Sequence, residues 1–191
     1  MLVMVADATG KGVSACMLMA MCRSFAHASA ESYSGMNAFL SDMNRRLFAD
    51  TDPAHFVTLA AMVLNRKTMT CEYGCAGHTP LLLRRPGGRS EVIKVPGPAL
   101  GMLPGTMGVT FAERTIECAT GTQFLLFSDG ITEALNSDEE EFGLERLQAL
   151  WRDHMLGPDQ MRDLVTERVK NFAGFEPRAD DQTMVVIHVG D

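Results

Sequence analysis

Apolar positions along this chain change rhythm three times, and each rhythm predicts a different element. Leu2 to Ala6 is a short unbroken apolar run, the pattern of a buried strand. It gives way to Asp7-Ala8-Thr9-Gly10-Lys11-Gly12, a polar turn with two glycines. Val13 to Ala30 then reads as a helix. Alanine and methionine dominate it, no Gly or Pro interrupts it, and its apolar faces predict cover on more than one side. After Ser34-Gly35 a second helix is expected from Met36 to Phe48. There Met36, Phe39, Leu40, Met43 and Leu47 follow helical spacing, and Asp42, Arg45 and Arg46 face elsewhere.

The middle of the chain shortens its period. Phe56 to Leu64 and Thr68 to Cys75 read as strands of a hairpin around Asn65-Arg66-Lys67. Pro80 to Arg85 and Glu91 to Val95 flank Pro86-Gly87-Gly88-Arg89 as a second hairpin. Beyond the Pro/Gly-rich stretch from Pro96 to Gly105, strands are expected over Gly108 to Cys118 and Thr122 to Phe127. Helices are then expected over Ile131 to Leu135, Leu144 to His154 and Pro158 to Phe172, the last opened by its proline. A polar loop, Arg178 to Gln182, leads to a final strand, Thr183 to Val189. Helices segregated from hairpin-linked strands predict an α+β fold with antiparallel sheets, not a doubly wound parallel one.

Composition narrows the function classes. With 46% hydrophobic and 21% charged residues, the 191-residue chain can build a sizeable core. A net charge of -7 with few basic clusters argues against nucleic acid, where phosphate contacts dominate affinity. The doublets Arg45-Arg46 and Arg84-Arg85 read as solvated surface. Val13 to Met21 is too short and too interrupted to span a membrane. Five cysteines, an odd number, with no signal peptide in view predict a reducing, cytoplasmic setting. Cys16, Cys22, Cys71, Cys75 and Cys118 are expected as buried small hydrophobes rather than zinc ligands.

Candidate chemistry sits on three aspartate sites. Asp7 follows Val3-Met4-Val5-Ala6, Asp129 follows Phe124-Leu125-Leu126-Phe127-Ser128, and Asp180-Asp181 precede the last strand. A carboxylate at the end of a buried strand is held rigidly and still reaches solvent. Hard divalent cations need several such oxygens together. Aspartates and glycines are also ordinary strand-ending residues, so spacing alone names no enzyme. Gly10-Lys11-Gly12 lacks the upstream glycine and following hydroxyl of a P-loop, with Val5 and Gly12 standing there instead. His78, beside a strand turn, reads first as structural, and Met17, Met19 and Met21 read as core filling.

Six segments in order carry a resemblance. They are Asp7-Ala8-Thr9-Gly10-Lys11-Gly12-Val13-Ser14-Ala15, Phe56-Val57-Thr58-Leu59, Ala76-Gly77-His78-Thr79-Pro80, Gly101-Met102-Leu103-Pro104-Gly105, Phe127-Ser128-Asp129-Gly130-Ile131-Thr132-Glu133-Ala134 and Asp180-Asp181-Gln182-Thr183. Together they resemble the bacterial metal-dependent serine/threonine protein phosphatases of the PPM (type 2C-like) family, in the branch of the sporulation phosphatase and the stress-response sigma-factor regulators. The resemblance implies an α-β-β-α four-layer sandwich of two antiparallel sheets flanked by helices, over residues 1–191. It also implies two Mn2+ or Mg2+ ions, with a water activated between them as nucleophile, so that no catalytic serine or cysteine is required. By position, Asp7 resembles the carboxylate bridging both metals, the backbone carbonyl of Ala8 its companion, and Asp129 a ligand of one ion. Asp180 is preferred over Asp181 as a further ligand, because related phosphatases place that aspartate three before the Thr or Ser. The implied substrate is a phosphorylated anti-sigma-factor antagonist protein. An upstream sensor domain and a homodimer belong to the same expectation. The family's first strand, carrying Gly-Gly-Asp, has no counterpart here, so the first strand of this chain is expected at an open sheet edge and the metal site to be short of one carboxylate. That departure leaves a second reading: an inactive phosphatase-like module that binds such a partner without turnover.

Overall fold

A computed structural model describes residues 1–52, 54–177 and 180–190. The elements run β1 (Leu2–Ala8), α1 (Val13–Glu31), α2 (Met36–Asp50), β2 (Val57–Asn65), β3 (Thr70–Ala76), β4 (Leu81–Arg84), β5 (Ser90–Ile93), a 3-10 turn (Gly105–Met107), β6 (Glu113–Glu117), β7 (Gln123–Phe127), α3 (Asp129–Thr132), α4 (Gly143–Asp153), α5 (Pro158–Ala173) and β8 (Met184–His188). They fall into two compact units. One comprises Met1–His78 and Lys94–Glu117, the other Thr79–Ile93 and Cys118–Asp191. Each contains one four-stranded antiparallel sheet, so the α+β class and antiparallel pairing expected from the pattern are found.

In the first unit the strand order is β1-β2-β3-β6, with β1 at an edge. β1 pairs with β2 from Leu2↔Val63 through Ala8↔Val57, so Asp7 lies opposite Thr58. The apolar stripe of α2 is buried where its spacing placed it: Met36, Phe39, Leu40, Met43 and Leu47 join Leu18, Cys22 and Ala26 of α1 in one core with Leu59, Ala61 and Ala76 of the sheet. Burying each of the larger side chains stabilises the unit by roughly 1.5–3 kcal/mol. Ser29 of α1 donates to Asp42 of α2 at 2.7 Å, and Arg46 holds the same carboxylate at 2.8 Å.

In the second unit the order is β5-β4-β7-β8. Leu147 and Trp151 of α4 and Met161, Val165 and Val169 of α5 pack with Leu82, Leu125 and Phe127 of the sheet. The β7–β8 pairing brings Phe127 opposite Met184, so the end of one strand and the start of the other meet.

Several local expectations change. The strand expected from Gly108 forms only over Glu113–Glu117. Gly108 adopts a left-handed conformation, and the Phe111 amide donates to the Asn37 side chain at 3.1 Å instead of to a ladder. The helix expected at Ile131 is a single turn and begins earlier, at Asp129. α1 is not covered on more than one side: Val13 and Met17 are exposed, so Met17 does not fill a core. Arg84 is not solvated. It is buried, lies 4.2 Å over the Trp151 ring, and donates to Gln123 at 3.1 Å and to the Trp151 carbonyl. Cys22, Cys71 and Cys75 are buried as expected, but Cys16 is exposed and Cys118 half-buried. Of the expected loop from Arg178 to Gln182, Arg178 and Ala179 lie outside the described residues.

Candidate metal centre

Asp7 and Ala8 are the last two residues of β1, half-buried and backed by β2. The turn that follows is stapled to the start of β2. The Thr9 amide donates to the Phe56 carbonyl at 3.0 Å, and the Phe56 amide returns a bond to the Thr9 hydroxyl at 3.1 Å. Thr58 reaches the Asp7 carbonyl at 3.5 Å and the His78 Nδ1 at 2.8 Å. Lys11, in the same turn, is exposed.

In the second unit, five apolar or amide residues of β7 run fully buried to Phe127, and Asp129 opens α3 two residues later. Ser128, between them, clamps the segment that carries the other acids. Its hydroxyl donates to the Asp181 carbonyl at 3.0 Å and accepts from the Thr183 amide at 2.9 Å, and its own amide donates to the Thr183 carbonyl at 3.0 Å. Gly130 makes the approach feasible: a β-carbon there would stand 2.4 Å from the Asp181 carbonyl oxygen. Asp180 folds back so that its Oδ1 accepts the Asp181 amide at 2.8 Å.

The consequence is a pair of carboxylates. Asp129 and Asp180 present oxygens within 4.8 Å of each other. The Oδ1 of Asp129 is buried and has no hydrogen-bond partner among the described residues. Buried polar atoms are nearly always satisfied, and neighbouring carboxylates repel, so both observations ask for a cation. An all-oxygen donor set on rigid strand ends suits a hard divalent ion. A cavity of about 230 Å³ lies alongside, walled by Gly130, Glu133, Glu141, Glu176 and Asp180 among others.

Three features escaped the sequence pattern: the Ser128 clamp, the Gly130 close approach, and the Thr58–His78 pair behind Asp7. All lie inside motif segments, but their roles depend on which strands become neighbours.

Comparison with known proteins identifies the family and the fold. The family model for stage II sporulation protein E (SpoIIE) matches residues 1–190. The chain is 26% identical over 187 residues to the phosphoserine phosphatase RsbU of Bacillus subtilis (strain 168), covering 96% of this chain and 54% of RsbU. It spans 21% of the length of a second curated relative, so it is about half or less as long as the curated relatives it matches. The SiaA-PP2C domain of Pseudomonas aeruginosa has the same fold, with a TM-score of 0.87 at 18% identity over 98% of this chain and 75% of that one. The catalytic domain of the serine/threonine phosphatase PstP, solved with two manganese ions, gives a TM-score of 0.69 at 17% identity over 100% of this chain and 88% of that one. Among the described residues, no helix is long and apolar enough to cross a membrane. With its motifs in order, two antiparallel sheets and a family match over nearly its whole length, the chain belongs to the stage II sporulation protein E (SpoIIE) family and has the fold of the SiaA-PP2C domain.

Proposed function

We propose that this protein hydrolyses phosphoserine or phosphothreonine on a regulatory protein of the anti-sigma-factor-antagonist type, with two Mn2+ or Mg2+ ions held by Asp7, the Ala8 carbonyl, Asp129 and Asp180. The observation that carries the reading is the buried Oδ1 of Asp129, without a hydrogen-bond partner among the described residues, with a second carboxylate oxygen, that of Asp180, within 4.8 Å. When bound, such ions neutralise a phosphoryl group and lower the pKa of a water to the neutral range. The chain's own part is to hold the ligands. Asp129 is fixed by the first turn of α3, and Asp180 is steadied by the Ser128 clamp on the next residues. The glutamates of the adjacent cavity would repel a phosphate approaching without cations, which favours a cation-dependent reaction. Support for a phosphoserine substrate comes from RsbU, named a phosphoserine phosphatase.

The test is Asp129→Asn. Manganese-dependent release of phosphate from a phosphoserine protein substrate should fall by about a hundredfold or more, the several kcal/mol that metal ions supply. Circular dichroism should show the fold unchanged. Undiminished turnover at saturating manganese would refute the site. Stoichiometric partner binding with no turnover in the parent protein would replace the enzyme with a binding module.

A further inference from the structure

The structure holds a polar relay behind Asp7 that the proposed reaction does not itself require. Thr58 stands opposite Asp7 in the β1–β2 ladder. Its hydroxyl lies 3.5 Å from the Asp7 carbonyl and 2.8 Å from the Nδ1 of His78. A threonine in a ladder needs no imported partner, since backbone or water satisfies it. Here the partner arrives on a turn built to hold it in place. Gly77 has φ +67°, and a β-carbon there would meet the Ala99 backbone nitrogen at 2.9 Å. The Gly77 amide donates to the Gly97 carbonyl at 3.0 Å, and the Cys75 thiol donates to the His78 carbonyl at 3.3 Å. The imidazole is thus delivered to the same Thr58 hydroxyl that reaches the Asp7 carbonyl.

We infer that Thr58 and His78 form a positioning pair that sets the Asp7–Ala8 end of β1 for metal binding, with His78 Nδ1–H donating to the Thr58 oxygen and the Thr58 hydroxyl directed at the Asp7 carbonyl. This deepens the proposed function and rests on Asp7 and Ala8 as ligands. A hydroxyl has one hydrogen. If it points to Asp7, the imidazole must be the donor, so the pair commits His78 to its Nδ1–H tautomer. The same logic governs partners that orient metal ligands elsewhere, whose loss typically weakens metal affinity ten- to a hundredfold. The 3.5 Å contact is long, so the low end of that range applies.

The experiment measures Mn2+ affinity calorimetrically on the 191-residue chain, with Asp7→Asn as reference. Thr58→Val should bind Mn2+ about tenfold more weakly while its metal-free melting temperature stays at the parent value. Thr58→Ser, which restores the hydroxyl, should recover most of the affinity. His78→Ala should match Thr58→Val, and the double variant should be no worse than either, because both act through one contact. Nitrogen chemical shifts of His78 at about pH 8, above the ordinary imidazole range, should report the Nδ1–H tautomer. If Asp7→Asn loses Mn2+ binding and both Thr58→Val and His78→Ala keep it, the pair is only structural and this inference falls alone. If Asp7→Asn also keeps parental affinity, the metal reading falls and takes the inference with it. An Nε2–H tautomer would mean that Thr58 donates to His78 and not to Asp7, which also overturns it. Should Thr58→Val fail to fold, His78→Ala and the tautomer decide the matter.

Discussion

At Gly130 a β-carbon would collide with the Asp181 carbonyl at 2.4 Å, and the obstacle is backbone rather than a side chain that can swing away. Gly130→Ala must therefore push α3 and the 180–181 segment apart. A loss of about 1–3 kcal/mol is expected from the overpacking, together with weaker Mn2+ binding, read by thermal unfolding and calorimetry. The cysteines separate by environment at the same scale. Burial raises the Cys22 thiol to about 11 and also raises Cys75, where a bond to the His78 backbone partly offsets it. Cys16 is exposed on α1. An alkylating reagent at neutral pH should label Cys16 first and reach Cys22 and Cys75 only on unfolding, a ranking mass spectrometry can check.

Between elements, one carboxylate adds a polar link to the apolar contact of α1 with α2. Burial alone would raise the pKa of Asp42, but hydrogen bonds from Ser29, Arg46 and Arg45 more than reverse this and hold it at about 2. The group is depressed in the folded state, so its stabilisation is present above the unfolded value of 3.8 and is lost as pH falls toward about 2. Arg45 is largely exposed and solvent screens the cluster, so the contribution is about 1 kcal/mol. Denaturant melts at pH 5 and near pH 2 should show Asp42→Asn losing less stability over that window than the parent. An equal loss in both would assign the acid sensitivity elsewhere.

For the molecule as a whole, a ligand that binds only the folded state must raise its stability. At a hundred times its dissociation constant an ion adds about 2.7 kcal/mol. For a chain of this size that is a rise of roughly 5–10 °C in melting temperature. Mn2+ should produce such a rise, a chelator should abolish it, and Asp129→Asn should not show it. A Mn2+-independent melting temperature in the parent would contradict a folded-state metal site. The comparison with RsbU bears on scale too: the matched region makes up 54% of that protein.

Periodicity alone determined most elements of this chain. The stripe of α2, the two hairpins, α4, α5, the first strand as far as Ala6 and the strand ending at Phe127 were legible because burial of one face repeats at 3.6 or 2 residues wherever it occurs, whereas pairing with β2 carried the first strand on through Asp7 and Ala8. The motif order also singled out Asp7, Ala8, Asp129 and Asp180 as candidate ligands. Only tertiary structure decided what backs them. Ser128 reaches residues 181–183 across more than fifty positions, and Thr58 finds His78 through the turn at Gly77. It also decided against the sequence at Arg84, which a doublet pattern placed in water and which Trp151 instead covers. It shortened the strand expected from Gly108, because Asn37 of α2 took the Phe111 amide. The physical reason is the same throughout: a local pattern reports which face is apolar, whereas hydrogen-bond partners and close approaches depend on which distant segments the fold makes neighbours.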